Sequence, residues 1–135
     1  MTSDVRDTVE RFREGWEDLN AEAVLATFSR DPWLLVWGTD VDEEWRGFEA
    51  LVAPFRSQTE AFTEPRYTWA GEPVVWSGGD IGCVAGTLNV SLRAAEEMVS
   101  VRMRSTFVLA RERGSWQIVH AHFSVGQAER VASYG

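Results

Sequence analysis

Lysine is absent from this sequence of 135 residues, and cysteine occurs only once. All 13 basic residues are arginines, and 21 acidic residues outnumber them, so the formal net charge is -8. An acidic surface repels a phosphate backbone, which argues against a nucleic-acid partner. The single cysteine, Cys83, excludes an internal disulfide and a metal site built from several cysteines.

Long apolar runs are also absent from the sequence. No run approaches the roughly 18 residues that a membrane-spanning helix needs. The first residues, MTSDVRDTVERF, lack the basic start and the apolar stretch of a signal peptide. We therefore expect a cytoplasmic protein without a membrane partner. The chain length fits a single domain that covers residues 1–135.

Aromatic residues, in contrast, are abundant. The chain has seven tryptophans and seven phenylalanines, and 44% of its residues are hydrophobic. This composition is typical of a globular domain with one core. So many large rings in a short chain must either fill that core or line an apolar cavity.

Helical periodicity dominates the first half of the sequence. Apolar side chains recur there at spacings of three and four, which predicts an amphipathic helix of about four turns; they are Val5, Val9, Phe12, Trp16 and Leu19. Asn20 is a suitable cap for a shorter helix over residues 21–29. Two short strands are predicted over residues 33–37 and 43–46, and a third helix over residues 48–61.

The second half of the sequence has the pattern of long strands. Turn sequences separate four segments, which are residues 66–76, 80–93, 98–111 and 115–125. Their short connections favour an antiparallel meander. Three helices followed by such a sheet predict an α+β fold in which the helices cover one face of the sheet.

Two hairpin turns set the predicted register of the sheet. Pairing Arg93 with Met98, and Ala110 with Trp116, assigns alternate side chains to opposite faces. One face is apolar around Ser105 and meets the helices. The other face is either solvated or buried against a second subunit; it carries Arg102, Arg104, Thr106, Trp116, His120 and His122.

Three sequence motifs carry a family resemblance. They are Gly38-Thr39-Asp40 with Glu44-Trp45-x-Gly47, then Arg104-Ser105-Thr106-x-Val108, and the segment GSWQIVHAHFS at residues 114–124. Over its whole length the chain resembles the SnoaL-like subgroup of the nuclear transport factor 2-like superfamily, close to the association domain of calcium/calmodulin-dependent protein kinase II. The resemblance implies a cone-shaped α+β fold, with three N-terminal helices packed on a curved, mainly antiparallel sheet.

When the functional residues of these relatives are aligned with this sequence, most of the matching positions carry different side chains, which argues against the relatives' activities. Phe12 and about Val36 stand where ketosteroid isomerases keep a tyrosine and an aspartate, so that reaction is not expected. Phe107 and Phe123 align with the cavity arginines of the kinase association domain. Iota-class carbonic anhydrases carry a His-His-Ser-Ser signature, and the matching residues 121–124, Ala-His-Phe-Ser, agree at two positions.

His120 and His122 lie two residues apart on a predicted strand, so both imidazoles point to the same side. That spacing suits a metal site if carboxylates join the pair, but none is evident nearby and no metal is assigned. The competing interpretation is a homodimer interface, in which the histidines join Arg102, Arg104 and Thr106. A one-residue slip of the last hairpin would instead turn both histidines into the cavity as catalytic candidates.

Two further groups of residues are candidates for a site inside the cone. Asp40 is either an acid or base at the mouth or simply part of a turn. Large rings either line a ligand cavity or fill it, with Tyr67 and Ser105 as the polar anchors. The candidate ligand-binding residues are Trp16, Trp37, Phe55, Tyr67, Trp69, Ser105, Phe107 and Phe123.

The sequence therefore predicts a protein that holds a small hydrophobic molecule in its cone and needs no cofactor. One form of this hypothesis is acid/base chemistry of an isomerase, cyclase or dehydratase, for which a proton shuttle in an apolar pocket suffices. The alternative is a non-catalytic association or ligand-sensing module. A third and more distant alternative is activity like that of the iota-class carbonic anhydrases.

Overall fold

The computed structural model of the protein describes residues 4–126. Within these residues there are three helices, α1 (Val5–Glu17), α2 (Ala21–Leu25) and α3 (Glu49–Ala61). Seven strands are present in the same part of the chain, β1 (Leu35–Trp37), β2 (Glu44–Arg46), β3 (Phe62–Trp69), β4 (Val74–Gly78), β5 (Ile81–Ala94), β6 (Glu97–Glu112) and β7 (Ser115–Val125). The predicted α+β class, with helices first and long strands after them, is confirmed.

Helix α1 starts at a reciprocal cap. The Asp4 carboxylate accepts a hydrogen bond from the Asp7 N–H at 3.1 Å, and the Asp7 carboxylate accepts one from the Asp4 N–H at 3.3 Å. Two backbone donors that a helix start leaves free are satisfied in this way. The predicted apolar face is buried, with Val5, Val9 and Phe12 turned to the sheet.

Helix α2 is shorter than the predicted helix over residues 21–29. After Leu25 the chain leaves the helix and forms backbone hydrogen bonds to strand β7: the Ser29 N–H donates to the Ile118 carbonyl at 2.9 Å, and the Ile118 N–H donates to the Thr27 carbonyl at 2.8 Å. These long-range bonds replace the last helical turn, which is why local periodicity overestimated its length.

The strands form one curved, unclosed mixed sheet in the order β2-β1-β7-β6-β5-β3, with β4 also paired to β5. Strands β1 and β7 are parallel, and all other pairs are antiparallel. The predicted strand over residues 66–76 is wrong in one respect. Gly71, with φ of +83°, turns the chain between β3 and β4, so both strands pair with different parts of the 14-residue β5.

The predicted register is confirmed between β5 and β6, where Arg93 pairs with Met98, and is wrong between β6 and β7. Trp116 pairs with Arg111 instead of Ala110. Val119 is an extra residue in a β-bulge, which reverses the alternation of side chains along β7. Trp116 consequently lies in the core at 5% exposure, contrary to its predicted position on the face of the sheet that the helices do not cover.

The helices cover one face of the sheet, and the core between them is centred on Phe12. The ring of Phe12 lies between 5.2 and 6.3 Å from four other rings, centroid to centroid; they belong to Trp16, Phe28, Phe107 and Phe123. We call the opposite face the outer sheet face. None of the helices within residues 4–126 combines the length and the apolar character needed to cross a membrane.

Candidate functional site

A cavity of about 370 Å³ opens beside the core, between helices α1 and α3 and the inner face of the sheet. Its walls are mainly apolar, and they include seven aromatic rings. Four of these belong to residues predicted to bind a ligand, namely Trp16, Phe55, Tyr67 and Phe123. Three others, Phe12, Trp45 and Phe62, complete the set.

The other four predicted ligand-binding residues do not line this cavity. Phe107 is fully buried in the core, and buried Ser105 donates to the Met103 carbonyl at 3.2 Å. The Trp69 indole N–H donates to the Glu10 carboxylate at 2.7 Å. Trp37 is turned to the outer sheet face, because the parallel pairing of β1 with β7 places it opposite His122.

Glu43 supplies a carboxylate to the cavity wall. Its Oε1 accepts a hydrogen bond from the Asp40 N–H at 3.0 Å, and its Oε2 accepts one from the Gln58 amide at 3.5 Å. The side chain lies over Gly38, where an added Cβ would be only 2.8 Å from the Glu43 Cβ. Glycine at position 38 thus leaves the space in which the carboxylate sits.

Tyr67 supplies a phenol to the same cavity. The residue is only 9% exposed, and burial raises the pKa of its hydroxyl to about 12. At neutral pH the hydroxyl is therefore a proton donor. Together with the amide of Gln58, it gives the cavity two neutral hydrogen-bond donors beside one carboxylate.

Side chains of helix α1 hold the strand segment around Tyr67. The Tyr67 N–H donates to the Glu17 carboxylate, and the Tyr67 carbonyl accepts from the Arg13 guanidinium, each at 2.9 Å. Arg13 also pairs with Glu10 at 3.0 Å and with Glu17 at 3.1 Å. We call Glu10, Arg13 and Glu17 the α1 brace. It occupies the free edge of β3, which is otherwise open to pairing.

The charges of the α1 brace are mutually stabilised. Burial raises the pKa of the Glu10 carboxyl, but hydrogen bonds from Trp69 and Arg13 outweigh that effect, so the pKa lies below its usual value. Glu10 is therefore held in its charged form, and it fixes the indole of Trp69 against helix α1.

Alkaline pH provides a test of the buried phenol. The pKa of Tyr67 is about 12 in the folded protein against 10.0 for an unperturbed tyrosine, so its stabilising contribution is complete below pH 10 and is lost as the pH rises to 12. We expect the free energy of unfolding to fall by about 2 to 3 kcal/mol over this interval. Urea denaturation at a series of pH values measures the loss.

The matched control for this experiment is Tyr67→Phe, which keeps the ring and removes the titrating group. Below pH 9 its stability should lie close to that of the wild type, because burial is the only cause of the pKa shift and no hydrogen bond to the hydroxyl contributes to it. Its decline between pH 10 and pH 12 should be smaller than that of the wild type. Parallel declines in the two proteins would contradict a buried Tyr67 hydroxyl.

The three predicted catalytic candidates lie away from the cavity interior. His120 and His122 are on the outer sheet face, where the His120 Nδ1–H donates to the Leu35 carbonyl at 2.8 Å and both rings contact Trp37 edge to face. Asp40 is exposed in the β1–β2 turn. Asp40 and His122 line one open surface depression of about 460 Å³, which shares Glu43 with the cavity.

The predicted interface residues share the outer sheet face with the histidines. Arg102, Arg104 and Thr106 are exposed there, and Thr106 pairs directly with His122. Homodimer formation through this face stays a prediction. Within residues 4–126, no three side chains of His, Cys, Asp or Glu come together as metal ligands.

Glu43, Gln58, Trp45 and Phe62 were not among the predicted site residues. Part of the signal is visible in the sequence. Glu43 and Trp45 lie two residues apart, and so on the same side, in the strand predicted over residues 43–46, and Gln58 follows Phe55 by three residues on the inner face of α3. What the pattern does not show is that the Glu43 side chain packs over Gly38 and reaches the cavity.

Comparison with known proteins places the chain in a family. The SnoaL-like domain family matches residues 5–128. No curated protein sequence matches the chain. Among solved structures, a nuclear transport factor 2-like superfamily protein of Salmonella enterica serovar Typhimurium shares 15% sequence identity, with a TM-score of 0.81 and coverage of 96% of this chain and 92% of its own.

Two further solved structures have the same fold. A Xanthomonas campestris protein provisionally named a calcium/calmodulin-dependent protein kinase II association domain shares 19% identity, with a TM-score of 0.79 and coverage of 93% and 87% of the two chains. A Streptomyces avermitilis protein provisionally named a dehydratase of the nuclear transport factor 2-like family shares 16% identity, with a TM-score of 0.80 and coverage of 93% and 95%. Since the family match spans nearly the whole chain, the protein belongs to the SnoaL-like domain family.

Proposed function

We propose that the protein binds a small, mainly apolar organic molecule in the cavity beside Phe12. The observation that carries this proposal is a cavity of about 370 Å³ whose walls include seven aromatic rings and only a few polar groups. Ligand pockets in proteins have this composition, with volumes of roughly 300 to 1,000 Å³. The size suits a molecule of one or two rings.

The polar groups of the cavity give such a ligand an orientation. Tyr67 and Gln58 can donate hydrogen bonds to it, and Glu43 can accept one. The α1 brace supports this arrangement, because Glu17 and Arg13 hold both backbone groups of Tyr67. A pre-organised donor loses little conformational entropy when the ligand binds.

A cavity-filling substitution tests the binding proposal. Val101 lines the cavity, and its neighbour Arg102 is exposed on the outer sheet face. We expect Val101→Trp to weaken the binding of the neutral probe 2-naphthol at least 10-fold, because the indole occupies the cavity, and Arg102→Trp to leave the affinity unchanged. Calorimetric titration measures both. Equal effects of the two variants, or no binding of 2-naphthol to the wild type, would contradict the proposal.

Proton-transfer chemistry on the bound molecule is a second candidate function. It is favoured by one observation, a carboxylate and a phenol on the walls of the same apolar cavity, which could act as base and acid in a cofactor-free isomerase, cyclase or dehydratase. The Streptomyces avermitilis protein that is provisionally named a dehydratase has the same fold. The two candidates differ in one observable, the conversion of the bound molecule to product.

A further inference from the structure

The described wall of the cavity has one acidic side chain and no basic one. Among the described residues that line it, Glu43 is the one acidic residue, and no arginine takes part. An anionic ligand, or a negative charge developing during a reaction, would meet neutral donors such as Tyr67, Gln58 and Thr39 but no cation among the described residues. A negatively charged ligand is therefore disfavoured in this cavity.

Glu43 also has no counter-ion among the residues that the structure describes. None of the ion pairs formed within residues 4–126 includes its carboxylate. One oxygen accepts from a backbone N–H, and the other accepts a long hydrogen bond of 3.5 Å from Gln58. Since a carboxylate has about four acceptor positions, capacity for a further donor remains. The half-buried negative charge is open to a positively charged partner.

Aromatic rings continue from Glu43 into the cavity. Trp45, two residues further along the chain, contacts Phe55 edge to face at 5.6 Å between ring centroids. Phe55 contacts Trp16 at 5.2 Å, and Trp16 stacks on Tyr67 at 6.2 Å. The faces of such rings attract cations, and groups of them recognise alkylated ammonium ions.

We propose that the ligand of this cavity is an organic cation, namely an amine or quaternary ammonium group that carries an apolar ring or chain. The ammonium group lies between the Glu43 carboxylate and the aromatic rings, and the apolar part occupies the remainder of the cavity. The net charge of -8 attracts such a ligand to the protein. This inference rests on the proposed function, because it assigns a chemical class to the molecule bound there.

The test uses two probes of equal shape. Benzyltrimethylammonium and neopentylbenzene differ in one atom, a charged nitrogen against a neutral carbon. Their affinities for the full-length protein are measured by competition with 2-naphthol. We expect the cation to bind at least 10-fold more tightly than its neutral isostere. Raising the salt concentration should reduce this preference, because salt screens the attraction of the carboxylate.

Two variants assign the preference to Glu43. In Glu43→Gln the preference for the cation over neopentylbenzene should fall to less than 3-fold, with the affinity of the variant for 2-naphthol measured separately as the reference of the competition. The matched control is Glu44→Gln, since the Glu44 carboxylate instead accepts hydrogen bonds from Trp37 and Arg46; it should retain the full preference. A Gly38→Ala variant, which displaces the Glu43 side chain without removing its charge, should reduce the preference as well.

The possible failures are distinguishable. If both isosteres bind the wild type equally while 2-naphthol still binds, the ligand is not selected for positive charge and only this inference is overturned. The same holds if Glu43→Gln keeps the preference. If none of the three probes binds, the cavity does not take small apolar molecules, and the proposed function fails together with the inference.

Discussion

Replacing Phe12 with alanine will lower the free energy of unfolding by about 3 to 5 kcal/mol. Phe12 is only 2% exposed, and its ring contacts four other aromatic rings at the centre of the core. The substitution removes these contacts and leaves a void that the surrounding rings, which are fixed on separate parts of the fold, cannot close. Domains of this size are stable by about 5 to 15 kcal/mol, so the loss is a large part of the total.

Urea denaturation measures this effect through the shift of the midpoint at constant slope. Phe12→Leu is the matched control, because it keeps most of the apolar volume and should cost less than half as much. Since Phe12 also lines the cavity, the alanine variant should accept larger ligands than the wild type. A loss below 1 kcal/mol would contradict the central packing of Phe12.

Replacing Arg13 with methionine will destabilise the protein by about 2 to 3 kcal/mol. The Arg13 side chain is 16% exposed and binds Glu10, Glu17 and the Tyr67 carbonyl. Methionine has similar length but no charge, so the substitution leaves two half-buried carboxylates without their partner. The expected loss is below that for a fully buried ion pair, because water reaches part of the cluster.

The pH dependence of this loss identifies its cause. The pKa of Glu10 lies below its usual value in the folded protein, so the stability that it contributes is present above pH 4.5 and is lost as the pH falls through the folded pKa. The difference between wild type and Arg13→Met should therefore shrink below pH 4.5. Arg11→Met, on the exposed side of the same helix, is the control and should cost under about 0.5 kcal/mol. A difference independent of pH would indicate lost packing instead of lost charge pairing.

The α1 brace connects the stability of the fold with the site. Arg13 and Glu17 hold Tyr67 through its backbone, so loosening the brace should also increase the mobility of the phenol in the cavity. The same cluster that covers the free edge of β3 thus positions a cavity residue. This link is not visible in the sequence, because 50 or more positions separate the two partners.

Features that depend on neighbouring residues were predictable from the sequence. The spacing of apolar residues in α1 and the acidic residue before it determined one buried face and a capped start. The short turn between β5 and β6 determined the pairing of Arg93 with Met98. Four of the eight predicted ligand-binding residues line the cavity, because alternation along strands and periodicity along helices assign inner faces correctly when the register is correct.

Predicted side-chain positions were wrong where pairing with a strand that is distant in sequence determined which face of the sheet a residue lies on. Trp37 was predicted inside the cone, but the parallel pairing of β1 with β7 turns it to the outer sheet face. The bulge at Val119 reversed the predicted position of Trp116, since one inserted residue exchanges the two faces of a strand. Neither the pairing partner of β1 nor the bulge has a local sequence signal.

The sequence has no lysine, many aromatic residues and a net charge of -8. By itself it predicted an acidic α+β domain with large rings on the inner faces of its helices and strands. Only the tertiary structure decided which rings surround a cavity and which fill the core. It also decided that Glu43 reaches the cavity while all arginines remain outside its described walls. The reason is physical: periodicity sets the side of an element on which a residue lies, whereas the packing of separate elements sets which residues from different elements meet.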